Sequence, residues 1–154
     1  MKLKKISEEE LNELFQKSKI SKRKRIMKVF QDDSYKGVHV CLNIIQPDSY
    51  MQPHLRYKDE IILYHSGRLC SLWFDKEGNI TEKNYLNKDS PFLFLPKKTF
   101  HTIVSLEENS SIWLILKGPH NPNNFSEYLK NTPNENEDYY NYFKSLKEQS
   151  TNHI

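Results

Sequence analysis

The sequence predicts an all-β fold, a β-sandwich or barrel with helices packed outside it at both ends. Three observations carry this. Between residues 37 and 117, segments dense in Val, Ile, Leu, Phe, Tyr and Trp recur with turn residues between them, the texture of a sandwich or barrel. No segment of helical period interrupts that stretch, which argues against the helix-linked strands of a parallel sheet. Finally, 154 residues are one domain's worth, and nine Tyr, eight Phe and two Trp supply apolar bodies for its core. We therefore expect a single domain over 1–154: an N-terminal helix and basic segment over 1–36, a β core over 37–117, and a helical tail over 118–154.

The first helix is predicted over about 7–18. Ser7 with Glu10 three residues on reads as a capping box, and Ile6 with Leu11 as the hydrophobic staple beside it. Leu11, Leu14 and Phe15 then form one apolar face. The basic run Lys22-Arg23-Lys24-Arg25 follows. Strands are predicted at Gly37–Gln46, Glu60–His65, Leu69–Asp75, Ile80–Leu86, Phe92–Leu95, Thr102–Leu106 and Ile112–Lys117. Asp75-Lys76-Glu77-Gly78-Asn79 reads as a hairpin connection, with Gly78 available for positive φ. Beyond the turns at Gly118-Pro119 and Asn121-Pro122, a short helix is expected around Phe125–Lys130. A last one is expected over about Glu135–Gln149, with Tyr139, Phe143 and Leu146 on one stripe.

Composition excludes several classes. Twenty-three Lys and Arg against 20 Asp and Glu leave a net charge of +3, too weak a field to call for nucleic acid. No apolar run approaches the roughly 18 residues of a membrane span. The basic start, Met1 to Lys5, leads into Ser7-Glu8-Glu9-Glu10 and not into the apolar stretch of a signal peptide. Cys41 and Cys70 stand far apart, which rules out a disulfide framework or a Cys-rich zinc site. They read as small buried hydrophobes. The expectation is a cytoplasmic protein that binds neither nucleic acid nor membrane.

Three ionisable residues mark a candidate site. His54 follows Pro53, Glu60 opens a strong strand, and His101 stands at the entry to a later one. Inward residues of neighbouring strands converge in a barrel. Two imidazoles and one carboxylate there make a facial metal site with open positions. Arg56 shares strand parity with His54 and should face the same way. It is either an anion clamp for a ligand carboxylate or phosphate, or an ion-pair partner for Glu60 that replaces the metal. His39 and Asn43 share parity on their strand and are candidates to line the cavity. His65 reads as peripheral and His120 as a turn residue. Tyr50, Tyr64, Trp73, Phe92, Phe94 and Trp113 read first as core.

The spacing resembles the cupin superfamily. Its first motif (His, any residue, His, three or four residues, Glu, six residues, Gly) stands here as His54-Leu55-Arg56-Tyr57-Lys58-Asp59-Glu60, then Gly67. The second, Pro-x-Gly-x-x-His, stands as Pro96-Lys97-Lys98-Thr99-Phe100-His101. Arg56 takes the second histidine's place and Lys98 the glycine's. Within the superfamily the chain looks like the WbuC-type cupin-fold metalloproteins. The fragments that carry this are Ser21–Arg25, Leu42–His54, Phe74–Gly78, Phe100–Glu107, Lys117–Pro122 and Phe125, then Pro133–Glu135.

The resemblance implies a cupin jelly roll with a divalent metal (zinc, iron, nickel or manganese) on His54, Glu60 and His101. It also implies a small polar, anionic or sugar-related ligand, a link to surface-polysaccharide (O-antigen-type) biosynthesis, and a homodimer. It brings Arg23 or Arg25 toward the barrel mouth, and gives Tyr64 a second reading as a ring that holds a sugar. Whether the chain is an enzyme is left open by these residues. Sugar or nucleotide-sugar isomerisation or epimerisation is the first class to test, with Glu60 as base if the metal is lost. The alternatives are a ligand-sensing or accessory module, and a metal-free cupin with a degenerate site.

Overall fold

The computed structural model describes residues 5–121 and 126–152. Among them, α1 (Glu8–Ile20) comes first. Ten strands follow: β1 (Arg25–Val29), β2 (Val38–Ile45), β3 (His54–Arg56), β4 (Glu60–Ser66), β5 (Leu69–Phe74), β6 (Ile80–Leu86), β7 (Phe92–Leu95), β8 (Phe100–Ser105), β9 (Ser110–Lys117) and β10 (Ser126–Tyr128). The last element is α2 (Tyr140–Thr151). The strands make two five-stranded antiparallel sheets, ordered β1-β2-β9-β4-β7 and β10-β3-β8-β5-β6. This is the expected jelly-roll sandwich. No described helix is long and apolar enough to cross a membrane.

Alternation along the strands sorts side chains into three clusters. Cys41, Ile45, Ile62, Leu69, Ile103 and Ile112 meet between the sheets. Leu42 and Ile44, on the opposite face of β2, are covered by Leu14 of α1. Cys70, Leu72 and Val104, on the outer face of the second sheet, are covered by Leu146 of α2. The helices thus pack outside the sandwich. Each covers part of one outer face. Both cysteines are free and buried.

The N-cap forms by half. The Glu10 amide donates to Ser7 Oγ (3.1 Å), but the Glu10 carboxylate turns to Lys28 rather than back to the cap. The Asp75–Asn79 hairpin joins β5 to β6 as expected, with Gly78 at φ +92° and the Asn79 amide on Asp75 Oδ1. Gly67 stands at φ +75° where β4 turns into β5, and a Cβ there would collide with Ser110.

Four expectations are corrected. The basic run leads directly into β1, whose register places Ile26 against Ile44 and Met27 against Asn43. Residues 126–128 are not helical but extend as β10 along β3, Ser126 against Arg56 and Tyr128 against His54. Phe125, where that helix was to start, and Pro122 lie outside the described residues. The last helix begins at Tyr140 rather than Glu135, because Asn134 and Glu137 close a turn on each other first. Phe92 and Phe94 are 57% and 47% exposed and belong to no core.

Candidate functional site

The two sheets bring the site together from opposite sides. His54 on β3 and His101 on β8 are direct cross-strand partners, so both imidazoles stand on the inner face of the second sheet with ring centroids 4.6 Å apart. Each donates its Nδ1–H to a backbone carbonyl two residues back, His54 to Gln52 (2.9 Å) and His101 to Thr99 (3.0 Å). That bond sets the tautomer and leaves Nε2 with its lone pair. Both rings are buried. Burial, then the neighbouring His101 and Arg56 charges, hold His54 well below its usual pKa. Burial lowers His101 too, against the pull of the Glu60 carboxylate. Both rings are therefore neutral at pH 7.

Glu60 opens β4 in the other sheet and is 1% exposed. Arg56, two residues past His54 on the same face, reaches across the sandwich and bonds Glu60 Oε1 through Nη1. The geometry makes Arg56 the ion-pair partner of Glu60, and its side chain also lines a cavity beside the pair. Glu60 Oε2 is buried and takes no hydrogen bond among the described residues.

This bears directly on a metal. Two neutral imidazoles with anchored Nδ1 atoms suit a dication, and so does an unsatisfied carboxylate oxygen. However, the Arg56 guanidinium already neutralises the carboxylate, and its charge reaches both imidazoles. Among the described residues no group of three or more His, Cys, Asp or Glu is arranged to hold a metal ion. As placed, the residues do not fit one: Glu60 is already paired with a fixed guanidinium charge that repels a dication.

Beside this centre lies a cavity of about 250 Å3, lined among others by Arg23, Arg25, Asn43, His54, Arg56 and Glu135. Arg25 on β1 is buried in its wall, donating from Nη1 to Tyr50 O (2.8 Å) and from Nη2 to Glu135 Oε1 (2.5 Å). Arg23 closes on the same carboxylate, Nε to Oε2 at 2.8 Å and Nη2 to Oε1 at 3.2 Å. Burial works against the Glu135 charge, but the bonds and charges of the two arginines outweigh it and hold the carboxyl below its usual pKa. Asn43 on β2 is 7% exposed, lines the cavity, and makes no side-chain hydrogen bond among the described residues.

Of the predicted site residues, His54, Arg56, Arg25 and Asn43 meet at this cavity. Glu60 and His101 sit beyond its wall. Arg56 holds one oxygen of Glu60, and Oε2 is left unbonded among the described residues. His39 lines a separate cavity of about 90 Å3, shared with Arg56 and Cys41, and its Nε2–H donates to Tyr35 O (2.7 Å). Tyr64 has the parity of Glu60 but lines neither cavity. His65 is peripheral as expected, bonded to Ser111 Oγ. Glu135 was not foreseen. It follows Pro133-Asn134 in a polar stretch and lies 110 residues from Arg25, with no local signal to join them.

The family model described as a domain of unknown function (DUF6016) matches residues 6–86. No curated protein matches the chain. Among solved structures, the chain is similar to the capsular polysaccharide assembling protein CapF of Staphylococcus aureus, with TM-score 0.59 and 19% identity over 71% of this chain and 33% of that one. It is also similar to protein SO0799 of Shewanella oneidensis, with TM-score 0.56 and 13% identity over 66% of this chain and 72% of that one. KdgF of Halomonas sp. follows, with TM-score 0.53 and 16% identity over 68% of this chain and 87% of that one. The chain spans about a third of CapF. These are cupin-fold proteins, and at such identities the likeness establishes the fold.

Proposed function

The chain belongs to the DUF6016 family, and we propose that this cupin-fold protein binds a small polar ligand in the 250 Å3 cavity without a metal, the Arg56 guanidinium supplying the positive charge that a dication would. The observation that carries this is the Arg56–Glu60 pair, formed across the sandwich between a 19% exposed side chain and a 1% exposed one. A planar guanidinium brings a fixed charge and several N–H donors. It can hold and orient an oxygen-rich ligand. Binding is therefore the primary function proposed.

Two likenesses bear on the ligand. The WbuC-type resemblance and the role in the name of the S. aureus protein both support a sugar-linked compound as the first class to test. The site also supports a second reading. The anchored Nδ1 atoms of His54 and His101 and the unsatisfied Glu60 Oε2 would accept a dication if Arg56 swung aside.

Elemental analysis separates the two. Protein incubated with zinc, iron, nickel or manganese and then desalted should carry no stoichiometric metal, while sugar-linked compounds should shift the Asn43 side-chain amide resonance. One retained metal per chain would establish the second reading instead.

A further inference from the structure

The cavity that the ligand reading invokes is charged in an uneven way. Arg23, Arg25 and Arg56 contribute three guanidinium groups to its lining, and Glu135 one carboxylate. That carboxylate lies across two of the guanidiniums, in four-atom contact with Arg23 and a further bond to Arg25. Arg25 is fixed from behind by Tyr50 O and Ser49 Oγ (3.3 Å), so the Glu135 carboxylate meets a donor already held in place. Its side chain is only 8% exposed, whereas that of Glu135 is 24% exposed. Glu135 stands on a turn between Pro133 and α2, and so belongs to no sheet ladder. Arg25 is thus fixed, while Arg23, 61% exposed, and the acid on its loop are held by each other.

A second observation points into the same space. The Asn43 side chain, on a residue 7% exposed, lines the cavity and makes no hydrogen bond among the described residues. Its amide is therefore a donor and an acceptor open to a ligand in the cavity. His54, beside it, keeps Nε2 after bonding Gln52 through Nδ1.

We propose that Arg23 and Arg25 form an oxyanion subsite which Glu135 fills from within the chain, and that the ligand's carboxylate or phosphate group enters by displacing the Glu135 carboxylate while its body bonds Asn43. The exchange replaces one carboxylate on paired guanidiniums by another oxyanion of the same geometry. Glu135 then acts as an internal competitor that sets the affinity. This rests on the ligand-binding reading above and names its ligand class.

The test is calorimetric titration of glucuronate, glucose 6-phosphate and glucose into the full chain and its Glu135→Gln and Asn43→Ala variants, with the Asn43 amide resonance followed in parallel. Removing the competing charge should tighten binding of one or both anions by about tenfold in Glu135→Gln. The anion preferred tells carboxylate from phosphate. Asn43→Ala should weaken the same anion several-fold. Glucose should bind no better to Glu135→Gln than to the unmutated chain. If Glu135 were only a structural strap, Glu135→Gln would lower the melting temperature and leave anion affinity unchanged, which overturns the proposal. Glucose shifting the Asn43 amide as strongly as the anions would overturn the oxyanion subsite while leaving the cavity reading intact. No probe binding any protein would overturn both.

Discussion

Replacing Arg56 with methionine keeps most of the side-chain stem and removes the charge. Glu60 would then be a carboxylate at 1% exposure with Oε1 as well as Oε2 unsatisfied. Removing one partner of a buried pair costs about 3–5 kcal/mol, because the other charge is stranded. Arg56 is itself 19% exposed, so the lower end applies, ~3 kcal/mol. For a domain of this size that is a fall of roughly 6–12 °C in Tm. The assay is urea denaturation, with chelator present, of the unmutated chain, Arg56→Met, Glu60→Leu and the double variant. A well-packed apolar pair often restores what a broken ion pair loses. The double variant should therefore lie within about 1 kcal/mol of the original, a coupling of ~2 kcal/mol or more between the two sites. If Arg56→Met costs under about 1 kcal/mol and the two changes add, the guanidinium does not neutralise Glu60 and the reasoning fails.

The remaining expectations follow from neighbouring features. His54 and His101 are held below their usual pKa in the folded chain, so below about pH 6.5 the unfolded chain binds protons that the folded one refuses. Stability should fall as pH drops from 6.5 toward the folded values, by up to ~1.4 kcal/mol per pH unit for each histidine. Equal urea midpoints at pH 7 and pH 5.5 would contradict this. Arg56→His exchanges the repelling charge for a third imidazole and should bind zinc at least about tenfold more tightly than the unmutated chain, a gap of ~1.4 kcal/mol by calorimetry. Unchanged affinity would place Arg56 outside the centre's electrostatics. A homodimer is expected through the outer face of the first sheet, where Val38, Phe92 and Phe94 are exposed beyond the cover of α1 and such a patch marks an interface. Light scattering should give twice the chain mass, and Phe92→Lys with Phe94→Lys a single chain. A monomeric unmutated protein at high concentration would refute it.

The strands legible in the sequence were those whose side chains advertise burial. β2, β5 and β9 carry runs of branched and aromatic residues because both of their faces are covered over much of their length. Strands held by pairing alone were not legible. β1 begins inside a basic run and forms because Ile26 and Lys28 alternate against β2, and β10 has the polar sequence Ser-Glu-Tyr, extended by its ladder with β3. At the site, parity along β3 sufficed to put His54 and Arg56 on one face, and the motif spacing to bring His101 beside them. Which of its two partners Arg56 takes depends on the separation of the sheets, which no local pattern encodes. Lys98 shows the same limit in the backbone. It sits at φ +63°, where the resembled motif has glycine, and its amide bonds Arg56 O. The departure was readable, but the left-handed turn that lysine must adopt there was not.

Anomalous diffraction from crystals of the unmutated protein grown with zinc tests the metal-free centre most directly. The expected map has the Arg56 guanidinium on Glu60 and no anomalous peak between His54, Glu60 and His101. A peak with both histidine nitrogens at about 2.0–2.1 Å and Arg56 turned away would contradict it.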